Sequence, residues 1–314
     1  MDAYIRGLNE TLYDKYDEAR FRWKMQNTPF SLGFISIAVV EYAGKPVAFN
    51  SFLPLRVRFG SSIIPIVQGC DGFVEPSHRR MGLFQETLKF MKLEFEWREP
   101  KFLMGFNFAG STNAAKKAGS LITSDVHALA AKTLELKKVY FEGEEDIEVE
   151  PCSLNEIHRI YEDWAATANK LHYERAREYL RWRYSHPIRW SSFYRIRNGS
   201  EVGYAVASLE HEDEETYNIF LEDYTPILNQ PKVASAFIKN LLEVEQPLNE
   251  VYLTATTCSL MSQTAQLLGF KPDHVYTLIF KNIQGLGERE GKMFRDSIEV
   301  TKVEDWHIVS SDVF

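Results

Sequence analysis

The sequence predicts an α/β (α+β) protein of two units, each a mixed, mostly antiparallel sheet flanked by helices. Three observations carry that expectation. Segments with apolar residues at helical spacing alternate along the chain with short apolar, β-rich runs. The 314 residues favour two domains of ordinary size. The order of elements in the first half recurs in the second, around Trp23-Lys24-Met25-Gln26-Asn27-Thr28-Pro29 and Trp182-Arg183-Tyr184-Ser185-His186-Pro187.

The elements follow in order. Leu12, Tyr16, Ala19 and Trp23 predict a helix over 10–27, limited by Pro29. Ile35 to Tyr42 and Val47 to Phe52 read as strands around Ala43-Gly44-Lys45-Pro46. Leu55 to Phe59 and Ile63 to Val67 form a second pair around Gly60-Ser61-Ser62. A basic turn leads from Gly72-Phe73-Val74 into an amphipathic helix from Phe84 to Phe95. Phe102 to Phe108 is a strand, Ser111 to Lys117 a helix capped by Gly119, and Thr123 to Lys132 a strand. The acidic run Glu142 to Asp146 reads as a solvated loop and separates a unit of 1–142 from one of 147–314. In the second unit, 155–168 and 175–183 read as helices. Strands at 193–197 and 202–209 flank the hairpin signal Asn198-Gly199. A strand at 217–223, a helix at 231–244, a strand at 251–256, a helix at 259–268 and a strand at 276–280 complete it.

The bulk composition narrows the function. With 45% hydrophobic and 25% charged residues the chain reads as a soluble globular protein. A net charge of -8 argues against a nucleic-acid binder, which needs a basic face to neutralise phosphates. Cys70, Cys152 and Cys258 are too far apart to suggest a disulfide framework or a zinc site, and His127, His158, His172 and His186 show no metal spacing. No apolar run approaches a membrane span, and the first residues lack a signal-peptide core, so a cytoplasmic protein is expected. Exposed sheet edges allow a homodimer without requiring one.

The most informative stretch is Val74-Glu75-Pro76-Ser77-His78-Arg79-Arg80-Met81-Gly82-Leu83-Phe84. A strand-to-helix turn aims backbone N–H groups and a helix N-terminus at one point, which makes an anion site. Arg79 and Arg80 add positive charge, and Gly82 lets the backbone approach a ligand closely. An ordinary strand-to-helix turn with exposed arginines is the competing reading of the residues alone.

This stretch resembles the acyl-CoA pyrophosphate loop of the GCN5-related N-acetyltransferase (GNAT) superfamily: Arg or Gln, two residues, Gly, one residue, then Gly or Ala. Arg79 and Gly82 match. Phe84 stands at the last small position, and Arg80 where a first glycine is common. The layout of the whole chain resembles a tandem GNAT protein, an impression the tail with Trp306 and Asp312 reinforces, though the likeness is sharp only over 67–119. The resemblance implies an acyl-CoA-dependent N-acyltransferase taking acetyl-CoA as co-substrate and a small-molecule amine as acceptor, with no metal. It implies that amides from Arg79 through Arg80, Met81, Gly82 and Leu83 to Phe84 hold the pyrophosphate. The pantetheine arm would run along Phe73-Val74, with Ser111 and Asn113 placing the cofactor or a water. Asp71 becomes the candidate proton acceptor, ahead of Glu75 and His78.

Two departures bear on activity. The family's acid is often a Tyr four residues before the glycine that closes the second helix, and counting back from Gly119 gives Ala115. In the second half the equivalent stretch, Phe220 to Pro231, has no Arg-x-x-Gly and carries Glu222 and Asp223, which would repel a pyrophosphate. Acyl-CoA is therefore assigned to the first half. Glu222 and Asp223 are expected to face a cleft between the halves and hold a cationic substrate, with Trp164, Tyr173, Trp182 and Trp190 as candidate lining. Glu210, His211 and 213–215 read as an exposed hairpin. A catalytically inert acyl-CoA-binding protein of the same fold is the alternative, favoured by Ala115 and Phe84. An aminoacyl transferase using aminoacyl-tRNA is a further one, disfavoured by the acidic balance.

Overall fold

The structure, a computed structural model, describes residues 1–11, 16–212, 215–243 and 247–313. Leu12 of the first expected helix, Asp213 and Glu214 of the acidic hairpin and Val244 of a later helix lie outside these residues. The chain opens with α1 (Asp2–Thr11), then α2 (Glu18–Phe21), which runs into a π-helical turn, Arg22–Gln26. The single helix expected over 10–27 is thus two pieces. Asp17 caps the second by accepting the Arg20 N–H at 2.8 Å.

The strands that follow are longer than the sequence suggests. After β1 (Ile37–Tyr42), the runs at 47–52 and 55–59 form one strand, β2 (Lys45–Phe59), and β3 continues from Ser62 to Val74. Pro54 does not break β2 because β1 pairs it only as far as Ser51, so the missing N–H falls where β2 has no outer neighbour. Next come α3 (Leu83–Phe95), β4 (Phe102–Asn107), α4 (Ala109–Lys117), β5 (Leu121–Lys132) and α5 (Thr133–Leu136). Gly119 ends α4 at φ +85°, as a helix-stopping glycine should. In the acidic run, Glu144 is buried and ion-paired to Lys239, which corrects the expectation of a solvated loop.

The second half runs β6 (Glu148–Pro151), α6 (Leu154–Ala165), β7 (His172–Tyr173), α7 (Arg177–Arg183), β8 (Trp190–Asn198), β9 (Glu201–His211) and β10 (Tyr217–Tyr224). It continues with α8 (Pro231–Leu241), β11 (Leu248–Thr256), α9 (Leu260–Leu267) and β12 (Lys271–Asn282). A Ser153–Glu156 capping box starts α6. A small sheet of β13 (Gly287–Arg289), β14 (Lys292–Arg295) and β15 (Ile298–Glu299) precedes the C-terminal segment.

Twelve strands form one sheet, in the order β1-β2-β3-β4-β12-β5-β11-β10-β9-β8-β6, with β7 on β2. Its neighbours are antiparallel except β3/β4 and β10/β11, which are parallel. The centre is an exchange. β5, from the first half, pairs with β11 over Lys132↔Glu250 to Val126↔Thr256. β12, from the second half, pairs with β4 over Thr277↔Asn107 to Asn282↔Phe102. Each half therefore completes the other's sheet.

The sequence echo becomes a contact. Trp23 and Trp182 stack, with ring centroids 5.1 Å apart and planes 12° apart. Each indole Nε1–H donates to the other's backbone carbonyl at 2.7 Å. The pair sits in a core shared by both halves, with Leu55, Phe102, Tyr161, Tyr204, Phe280 and Trp306.

Candidate active site

Both parallel strand pairs splay. β3 and β4 pair from Ile66↔Phe102 to Gly69↔Gly105 and then part, although β3 runs on to Val74 and β4 to Asn107. β10 and β11 likewise part beyond Phe220↔Tyr252. The outcome differs between the halves. In the second, the C-terminal segment fills the gap: the turn Ser310–Asp312 lies against β10 and β11, and His307 Nε2 meets the Tyr224 carbonyl at 2.7 Å. In the first, the gap is an open cleft of about 410 Å³.

The cleft passes between Cys70, Asp71 and Gly72 on β3 and Gly105, Phe106 and Asn107 on β4. Phe84, Leu88, Leu103 and Ile279 supply its apolar wall. Gly72 is required by space, because a Cβ there would meet the Phe84 ring at 2.9 Å. Asp71 sits in a bulge of β3, where the register with β2 shifts. Its Oδ1 and Oδ2 lie 2.9 and 3.0 Å from Lys24 Nζ, and Oδ2 accepts the Tyr4 hydroxyl at 2.6 Å. Burial lowers the pKa of Lys24, but the Asp71 carboxylate outweighs it and holds the ammonium above the usual lysine range. Burial, then Asp71, pushes the Tyr4 phenol up. The Cys70 thiol is driven up to about 12 by burial and stays protonated, which removes it as a nucleophile.

Beside the cleft lies the basic turn. Arg80 at φ +68° and Gly82 at φ +82° curl the chain into α3. The first position explains why a glycine would be at ease there; Arg80 adopts a conformation that costs a non-glycine residue about 1 kcal/mol. Arg79 donates from Nε to the Val74 carbonyl at 3.1 Å, pinning the turn to the end of β3. Gln85 and Glu86 donate back to the Gly82 carbonyl, while the N–H groups from Arg80 to Phe84 meet no intrachain acceptor among the described residues. These donors, at the start of a 13-residue helix, form a concavity suited to an anion.

The remaining expected residues divide. Phe84 and Ser111 line the cleft, with Ser111 Oγ accepting from Asn107 Nδ2 at 3.0 Å. Phe73 is buried against Phe49 and Tyr4, Val74 forms the strand end, Met81 and Asn113 are exposed, and Leu83 begins α3. Ala115, on α4, is fully buried in a cluster with Leu88, Met91 and Phe95 of α3, with no hydroxyl to offer. A different phenol lines the cleft: Tyr276, on the exchanged β12, packs against Phe108 with centroids 5.1 Å apart.

Two expectations about the second half are corrected. Glu222 does not await a cationic substrate; it is bound by Arg183 at 3.2 Å and Arg189 at 2.9 Å. Asp223 is buried against Arg175 at 2.7 Å, and Asp312 meets the same guanidinium at 2.8 Å. Of the aromatic residues considered as lining, Trp182 is in the shared core, Tyr173 is buried and donates to Gln68 Oε1, Trp164 packs on His172, and Trp190 is exposed against His211. Glu210 belongs to an ion pair with Arg189. The cleft wall missed by sequence reading is Arg20, Trp23, Lys24, Arg183, His186 and Arg189. Its signal was the Trp-basic echo, whose Lys24 and Arg183 each face a carboxylate on a strand bulge, Asp71 and Glu222.

Among the described residues no group of side chains could hold a metal ion, and no helix is long and apolar enough to cross a membrane. No family model and no curated relative matches the sequence. Solved structures match in fold. The chain is similar to a GCN5-related N-acetyltransferase from Anabaena variabilis, with a TM-score of 0.63 and 13% identity over 90% of this chain and 69% of that one. It is similar to a tandem GNAT protein from the clavulanic acid biosynthesis pathway, with a TM-score of 0.55 and 12% identity over 80% and 84%. It is also similar to Saccharomyces cerevisiae N-myristoyltransferase with bound myristoyl-CoA, with a TM-score of 0.56 and 13% identity over 90% and 75%. At these identities the likeness is one of fold: the chain shares with these structures a mixed sheet and flanking helices.

Proposed function

We propose that the protein is an acyl-CoA-dependent N-acyltransferase that moves an acetyl group from acetyl-CoA to a primary amine of a small molecule. The observation that carries this reading is the open splay between β3 and β4 beside a turn whose amides, from Arg80 to Phe84, have no acceptor of their own. A pyrophosphate on that turn would leave the pantetheine arm to enter along Phe73-Val74 and bring the thioester to the gap near Asp71. The plugged second splay supports a single acyl-CoA site, in the first of two tandem units.

The chemistry needs few groups. The amine nitrogen attacks the thioester carbonyl carbon, the C–N bond forms, the C–S bond breaks, and CoA leaves as thiolate. Holding both partners in one cleft supplies much of the rate. Asp71, the carboxylate lining the cleft, takes the proton released by the attacking ammonium, while Lys24 and Tyr4 fix its orientation. The Tyr276 hydroxyl or a water returns a proton to the thiolate, in place of the hydroxyl that Ala115 lacks.

A thiol-release assay with acetyl-CoA and a panel of amines tests this. Amine-dependent release above the hydrolysis background is expected. Tight acetyl-CoA binding with no release for any amine would replace this reading with the inert acyl-CoA-binding one that Ala115 favours.

A further inference from the structure

We propose that the acceptor is an amine that also carries a carboxylate, of the size of a free amino acid, and that Arg20, Arg183, His186 and Arg189 hold that carboxylate. The proposal rests on the N-acyltransferase reading above and names the substrate class for the same cleft.

The cleft is electrically lopsided. On the side away from α3 its wall comes from the α2 segment and from the end of α7 with the turn after it, the two segments clamped by the Trp23–Trp182 pair. That wall carries four cationic side chains, Arg20, Lys24, Arg183 and Arg189, of which Lys24 is ion-paired to Asp71. Asp71 is the one carboxylate lining the cleft among the described residues. Two of the arginines are held by carboxylates that do not line the cleft: Glu222 holds Arg183 and Arg189, and Glu210 holds Arg189 at 2.8 Å. Arg189 also lies over the Phe220 ring, 4.7 Å from its centroid. A ligand entering the cleft therefore meets fixed guanidinium groups. Groups fixed in advance bind an anion without the cost of ordering them.

His186 reports the same field. Its ring stands edge-on to Trp23, 4.4 Å between centroids, and Nδ1 accepts the Ile188 N–H. That leaves Nε2 as the ring's N–H donor. Burial, followed by the charges of Arg183, Arg189, Arg20 and Lys24, drives its pKa down to about 2, so the ring stays a neutral donor.

These features exclude some amines and favour others. A polyamine would bring two or more positive charges against the cationic wall. An amino sugar offers hydroxyls but no anion to match it. An amino acid brings both charges: its carboxylate faces the arginines while its ammonium faces Asp71, at the splay. The cleft, at about 410 Å³, is of a size for such a molecule together with the end of a pantetheine arm.

The test uses the full-length protein with acetyl-CoA and matched amine pairs, read as thiol release. Phenylalanine is set against phenethylamine, lysine against cadaverine, and glucosamine 6-phosphate against glucosamine. At least about a tenfold advantage in kcat/KM is expected for each amino acid over its decarboxylated partner. Arg189→Gln and, separately, Arg20→Gln should narrow that ratio, with Arg189→Lys restoring part of it. Acetyl-CoA affinity shows that each variant is folded. Equal or better use of the decarboxylated amines overturns the proposal, as does discrimination confined to the phosphate pair. If acetyl-CoA binds but no amine is acylated, calorimetric titration of the CoA-bound protein with the same amino acids decides, and no binding overturns the carboxylate subsite. Absence of acetyl-CoA binding removes both this proposal and the reading beneath it, whereas intact acetyl transfer without carboxylate preference removes only this one.

Discussion

At the scale of single residues, the proposed role of Asp71 would couple stability to chemistry. Lys24 and Asp71 are both nearly buried, with side chains 7% and 9% exposed. Removing one charge of such a pair strands the other, at roughly 3–5 kcal/mol. Asp71→Asn is therefore expected to lower the urea midpoint and to cut kcat by a factor on the order of 10²–10⁴. The double variant Asp71→Asn with Lys24→Met should regain stability without regaining turnover. Recovery of both in the double variant would show that Asp71 serves only the fold. His172 makes a second prediction. It is buried, its Nδ1 lies 2.9 Å from the Lys170 carbonyl and must carry the proton, and its Nε2 meets the Tyr161 hydroxyl. Burial drives its pKa from 6.5 down to about 3. The folded state thus excludes a proton that the unfolded chain binds, and stability is lost as pH falls from about 6.5 toward 3. The loss approaches about 1.4 kcal/mol per pH unit from this residue alone. Urea midpoints between pH 7.5 and 5 measure it, and His172→Gln should flatten the slope. An unchanged slope would contradict the assignment.

At the scale of elements, the reciprocal Trp pair joins the halves. Trp23→Phe removes one N–H donor to the Trp182 carbonyl, which keeps the Ser185 hydroxyl and N–H, so a cost of only about 0.5–1.5 kcal/mol is expected by thermal or urea unfolding. The reverse substitution, Trp182→Phe, should cost at least as much, because the Trp182 carbonyl has the Ser185 donors in reserve while Trp182 Nε1 is the side-chain donor to the Trp23 carbonyl. A clearly larger cost for Trp23→Phe than for Trp182→Phe would contradict this. Much at this scale was legible. The Trp echo, the glycine stop after α4, the Asn198-Gly199 hairpin and the Arg79/Gly82 turn all follow from local patterns that the structure keeps. The cationic wall was not, because Arg20 and Arg189 gain meaning only when two segments far apart in sequence meet. The continuity of β2 through Pro54 was hidden too, since proline reads as a breaker until its neighbours in the sheet are known.

At the scale of the whole molecule, the exchange of β5 and β12 was invisible for a physical reason. A strand's alternation of apolar and polar residues reports that one face is buried, and it is the same whichever half the strand joins. The exchange predicts that chains cut between 142 and 147 do not fold separately. Each lacks the central strand that the other supplies, so a half alone exposes a sheet edge and a share of the common core. Circular dichroism and proteolysis of 1–142 and 147–314, alone and mixed, check this: disorder alone and recovery on mixing are expected, and two independently cooperative halves would contradict it.

The exchange also leaves the molecule lopsided, with one splay filled by the chain's own C-terminal segment and one left open. The central claim is that the open splay, with the turn from Arg79 to Phe84, is the acyl-CoA site. The most direct measurement is isothermal titration of the protein with acetyl-CoA, alongside Gly82→Glu. That variant puts a side chain at φ +82° and a negative charge among the anion-binding amides. Saturable binding at one site per chain, lost in a variant that still melts cooperatively, is the predicted result. No binding by the unaltered protein, two sites per chain, or equal binding by the variant would contradict it.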